Sequence, residues 1–137
     1  MKISQKLEYA CRALAQLAQH HDGRTLTRLE DLAQREAVSG NFLVQILSDL
    51  RRAGLIDSRR GKSGGYLLGR APEAITLRQV VAAVDPSLLQ CSVARDGQSG
   101  PSVRLAWDQV SSSLQQALDQ ITVATLSNNM AGPMFDI

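Results

Sequence analysis

The stretch SGNFLVQILSDLRRAGLIDSRRGKSGGYLL, Ser39 to Leu68, decides the fold. Ser39 is a good N-cap residue, and Leu43, Ile46, Leu47 and Leu50 follow at i, i+3, i+4 and i+7, so a helix with one apolar face begins here. Gly54 stops it. Immediately beyond, Leu55-Ile56-Asp57-Ser58 and Tyr66-Leu67-Leu68 are short strand-like runs on either side of Arg59-Arg60-Gly61-Lys62-Ser63-Gly64-Gly65. The pattern predicts a hairpin with a glycine-rich, basic tip.

Upstream, Thr27 with Glu30 has the spacing of a capping box and predicts a short helix carrying Leu29, Leu32 and Ala33, ending near Glu36. Two helices joined by so short a turn make a helix-turn-helix arrangement. Before them, Leu7, Cys11, Leu14 and Ala18 predict a first helix over residues 3 to 19, followed by a loop at His20-His21-Asp22-Gly23. The two histidines have no convincing metal partners nearby and read as surface residues.

Downstream, Ala71-Pro72 closes the hairpin, and Thr76 with Gln79 gives a second capping box ahead of Leu77, Val80, Val81 and Val84. Residues 85 to 102 lack periodicity and read as a loop. From 103 to 127, Trp107, Val110, Leu114, Ala117, Leu118 and Ile121 recur at helical spacing with few charges between them. That broad apolar face has no partner in a core already supplied by the earlier helices. Trp107, Val110, Leu114, Leu118 and Ile121 are therefore expected to pair with the same helix of a second chain, together with the first helix. The tail, 128 to 137, is expected to be loosely held.

The fold class expected is mainly α: a winged helix-turn-helix over 1–84 with a two-stranded β wing, a loop over 85–102 and a long C-terminal dimerisation helix over 103–127. A chain of 137 residues with 44% apolar content can build one such core. No apolar run approaches the roughly 18 residues of a membrane span, and the first residues lack a secretion signal, so a cytoplasmic protein is expected. Two cysteines eighty positions apart make a disulfide framework improbable.

The net charge of +2 becomes informative when divided along the chain. Between Ser39 and Arg70, six basic residues stand against Asp49 and Asp57, an excess of four positive charges, while the rest of the chain is slightly acidic. A localised basic patch points to a polyanion partner. With the leucines of the third helix turned inward, its opposite face carries Asn41, Val44, Gln45, Ser48 and Arg52. Asn and Gln can pair with adenine edges, Ser with several groups, and Val can touch a thymine methyl. Arg59, Arg60 and Lys62 on the hairpin tip fit entry into a minor groove. Gly61-Lys62-Ser63 looks like part of a nucleotide-binding loop, but that motif requires glycine at position 56, where Ile56 stands. Nothing gathers a nucleophile, a base and an oxyanion donor, so no enzyme is expected. A helix-turn-helix that binds protein instead of DNA is a further alternative.

RGKSGGYLLGRAPEAITLRQVVAAV, Arg60 to Val84, closely resembles the signature of the Rrf2 family of bacterial winged-helix transcription regulators, which includes an iron–sulfur assembly regulator and a nitric-oxide sensor. MKISQKLEYACRALAQLA resembles that family's first helix, and SGNFLVQILSDLRRAGLI its recognition helix. The likeness covers roughly residues 1 to 127. It implies a homodimer on a near-palindromic duplex, acting as a repressor. It further implies Ser39, Asn41, Val44 and Gln45 at base-reading or phosphate positions, Arg60 at the minor-groove position of the wing, and Ser4 and Lys6 near backbone phosphate.

Many relatives hold an iron–sulfur cluster with three cysteines in the loop after the fourth helix, where this chain has Cys91 alone. A 2Fe-2S cluster needs four ligands. The resemblance implies an alternative mixed set collected across the dimer, for which Cys91, Cys11, Glu8 and Glu36 are the candidates. Without a cluster, the same fold would respond to a small molecule or a partner protein.

Overall fold

The computed structural model describes residues 1–130; of the expected loose tail, residues 131–137 lie outside the described residues. The first helix, α1, runs Gln5–Gln19, and Ser4 caps it by accepting a hydrogen bond from the Leu7 N–H at 3.1 Å. Leu7, Ala10, Leu14 and Leu17 are buried along one face. Cys11 and Ala18 flank that stripe and are only partly buried.

Helix α2, Leu29–Arg35, lacks the expected capping box: Arg28 holds the N-cap position and no side chain bonds the helix start. Thr27 is used differently. It is buried, and its backbone exchanges two 2.8 Å hydrogen bonds with Tyr66 of the hairpin, which locks the residue in an extended conformation. After α2 the chain turns through Ala37, a non-glycine residue at φ 53°. The Val38 N–H returns to the Ala33 carbonyl, which satisfies the helix end despite the steric penalty of a Cβ there.

Helix α3, Gly40–Arg52, begins where predicted, with Ser39 accepting from the Phe42 N–H at 3.2 Å. Its end is set by Gly54 at φ 79°, which lets the Leu55 N–H reach back to the Leu50 carbonyl at 3.0 Å. Strands β1, Ile56–Arg59, and β2, Gly65–Leu68, then pair antiparallel with Ile56 opposite Leu68 and Arg59 opposite Gly65. A 3₁₀ turn at Pro72–Ala74 leads into α4, Leu77–Val84, whose Thr76/Gln79 capping box is complete in both directions.

Leu14, Leu32, Leu43, Ile46, Leu47, Leu50, Leu55, Ile75, Val80 and Val81 form a nearly water-free core between these elements. Helices packed in a helix-turn-helix, with a hairpin projecting from the end of α3, make a winged helix.

The C-terminal part departs from expectation. In place of one helix from 103 to 127 there are two, α5 Gly100–Gln120 and α6 Val123–Met130. The break falls at Ile121-Thr122-Val123, three β-branched residues that favour extended backbone. That link lies beside residues 75 to 77: the Leu77 N–H donates to the Ile121 carbonyl, and the Val123 N–H to the Ile75 carbonyl, each at 2.9 Å. Helix α6 then folds back on α1, burying Val123 and Ser127, and Gln19 donates to the Ser127 carbonyl at 2.7 Å. Residues 128–130 thus belong to a helix. No described helix is long and apolar enough to cross a membrane.

Candidate nucleic-acid interface

Burial of Leu43, Ile46, Leu47 and Leu50 turns Asn41, Val44, Gln45 and Ser48 to solvent on the far side of α3. Val44 is 39% exposed although a valine could have been buried, so an apolar contact point is held among polar neighbours. Ser4 and Ser39 both serve as caps, accepting backbone N–H groups. A hydroxyl that accepts through a lone pair still has its own hydrogen to donate, so each remains competent to bond a phosphate oxygen.

Asp49 organises the cationic edge of the helix. It is half-buried, forms an ion pair with Lys6 of α1 and lies 3.7 Å from Arg52. Lys6, expected beside backbone phosphate, is therefore already paired, and Arg52 partly so.

At the wing, Arg59 pairs with Asp57 at 3.0 Å and holds that carboxyl below its ordinary range. Arg60 and Lys62 are exposed and have no acidic partner within 4.0 Å among the described residues. The hairpin is fastened at two points. Tyr66 is bridged to Thr27, and Arg51 donates to the Ser58 hydroxyl at 3.0 Å. Gly65 permits the first of these, because a Cβ there would lie 2.7 Å from the Thr27 carbonyl oxygen. Arg28 and Arg51 were not singled out in the sequence, yet both line the cleft beneath the wing. Arg51 had a signal, since it follows Val44 at i+7 and Ser48 at i+3. Arg28 had none, because a bridge to a residue 39 positions away places it.

The candidate cluster ligands separate into two groups. Glu8 pairs with Arg12 at 2.6 Å, Arg12 also reaches Glu36 at 3.6 Å, and Gln16 donates to Glu36 at 2.7 Å. Cys11 packs against the core, and burial pushes its thiol up to about 11. Cys91 sits in the loop after α4, in an open groove of about 250 Å³ with Leu88, Val93, Trp107, Val110 and Leu114. Cluster ligation needs thiolate and unpaired carboxylate. Within one protomer these donors do not fit a cluster, and among the described residues no three His, Cys, Asp or Glu side chains gather to hold a metal ion.

Helix α5 is fixed to the rest of the protomer along one edge. Arg78 of α4 bonds Asp119 at 2.9 Å and Gln115 at 2.8 Å, and Arg104 donates to the Val93 carbonyl at 2.8 Å. No residue in its 21 is buried. Val103, Trp107 and Val110 form an exposed stripe, with Trp107 54% and Val110 55% accessible, and Leu114 lies half-buried beside it. Of the residues expected on this stripe, Leu118 instead packs against the protomer's own core, and Ile121 falls in the extended link. Helix α1, expected to share the contact, has its apolar face filled by α3, α4 and α6.

The family model described as an iron-dependent transcriptional regulator, Rrf2, matches residues 3–129. The chain is 37% identical over 134 residues to the HTH-type transcriptional regulator IscR of Erwinia tasmaniensis, covering 94% of this chain and 80% of that protein. It is 34% identical over 132 residues to the HTH-type transcriptional regulator CymR of Bacillus subtilis, covering 96% and 94%. Among solved structures, the global cysteine regulator CymR of B. subtilis superposes with a TM-score of 0.82 at 33% identity, over 94% of this chain and 98% of that one. The T. potens IscR structure gives 0.74 at 34% identity, over 95% and 88%.

Proposed function

The chain belongs to the Rrf2 family of transcriptional regulators, and from that premise we propose that it works as a homodimer, joined through α5, that represses by occupying a near-palindromic duplex. Each protomer sets α3 into a major groove, with Asn41, Val44, Gln45 and Ser48 against base edges and Arg60 of the wing in the adjoining minor groove. The observation that carries this is the outward face of α3, short, polar and adaptable, beside a wing tip whose Arg60 and Lys62 are unpaired among the described residues. The experiment is selection from a pool of random duplexes. Enrichment of two inverted half-sites, their centres one or more turns of about 34 Å apart, is the expected result. An enriched single half-site, or no enrichment, refutes it.

For the signal, the reading supported best is a regulator without a cluster, responding to a small molecule or a partner protein. Three of the four candidate ligands are otherwise engaged: Cys11 is held as a neutral thiol, and Glu8 and Glu36 share Arg12. Protein isolated without oxygen is expected to be colourless and iron-free. A visible charge-transfer spectrum that disappears in Cys91→Ala overturns this.

A further inference from the structure

We propose that the cleft between the start of α2, the end of α3 and the wing is a phosphate seat, in which Arg28 and Arg51 grip a backbone phosphate of the duplex. The inference rests on the DNA-binding reading above and adds two contacts to it. The cleft measures about 310 Å³, and Arg28, Arg51, Arg59 and Arg60 all line it. These four come from three elements, and the fold holds those elements together by specific bonds. The Thr27–Tyr66 bridge fixes the residue before Arg28 against β2, and the Arg51–Ser58 hydrogen bond fixes α3 against β1.

The charge balance points to an anion. Arg59 is matched by Asp57 at 3.0 Å, and Arg28 only loosely by Glu30 at 3.6 Å, both of those side chains being well exposed. Arg51 and Arg60 have no acidic partner within 4.0 Å among the described residues. Guanidinium groups gathered in a concave site repel one another unless an anion screens them, and their planar fork matches two phosphate oxygens. The wing beside the cleft already approaches the duplex in the proposed complex. A backbone phosphate is the anion that arrives with it.

The test is the salt dependence of affinity, measured on a selected duplex and on a random one for Arg28→Gln and Arg51→Gln. Arg35→Gln, at the other end of α2, is the charge control. Ser58→Ala removes the wing tether while keeping every charge. Each lost phosphate contact lowers the slope of log affinity against log salt by about 0.9, hence by about 1.8 for a two-fold complex. The gap from the unaltered protein should then narrow about 12-fold between about 50 and 200 mM salt, equally on both duplexes. Slopes for Arg28→Gln and Arg51→Gln that match those of Arg35→Gln and Ser58→Ala overturn the seat while DNA binding stands. A loss confined to the selected duplex also overturns it, because phosphate contacts are blind to sequence. An unaltered protein that binds neither duplex sinks the DNA-binding reading and the seat with it.

Discussion

Trp107→Asp combined with Val110→Asp is expected to yield a folded monomer that has lost a hundredfold or more of its affinity for a two-half-site duplex. The two halves of that expectation have separate physical causes. Folding survives because both side chains are more than half exposed in the protomer and contribute nothing to its core. Association fails because a carboxylate would be carried into the centre of an apolar contact, where no partner cation on α5 could meet it: Arg104, the one basic residue of α5, is held on the opposite edge by Asp108 and the Val93 carbonyl. Affinity then falls because the second half-site is no longer reached by a tethered protomer, and that coupling is worth about 10²–10⁴. Sedimentation shows the monomer, circular dichroism the retained helices, and a gel-shift titration the lost affinity. Dimers that persist in the double variant would place the interface elsewhere.

Arg60→Ala carries the second large effect. Its side chain is exposed on the wing tip and has no acidic partner within 4.0 Å among the described residues, so removing it disturbs little within the protomer. In the complex it would occupy a minor groove whose negative potential is strongest where the groove is narrow. The loss of such a base-edge contact is worth about 1–3 kcal/mol. A tenfold to hundredfold weakening on the selected duplex is therefore expected, with a smaller change on random duplex and an unaltered melting temperature. This separates Arg60 from the phosphate seat, where both duplexes should suffer alike. Equal affinities for the variant and the unaltered protein would remove Arg60 from the contact.

The third helix, the wing and the fourth helix were legible because their signals are local. Leu43, Ile46, Leu47 and Leu50 are buried as their spacing requires, and the Ser39 and Thr76 caps form with the residues that the spacing names. What escaped was set by contacts between distant residues. Thr27 has a capping partner three positions on, but Tyr66 competes for its backbone and wins. The apolar repeat runs on from α5 into α6 almost without change, so periodicity could not show the break that pairing with residues 75 to 77 creates. Lys6 looked like an available cation until Asp49, 43 positions away, was found beside it. Among the interface residues, those on α3 could be read from a single face of one helix. Arg28 and Arg51 could be joined only once the hairpin had been folded back over α2.

The central claim is that two α5 stripes meet, so that two reading helices share one duplex. Sedimentation equilibrium of the protein with a selected duplex measures this directly, by the number of protomers in the smallest complex. Two protomers per duplex is the predicted result; a single protomer bound at full affinity would contradict the account.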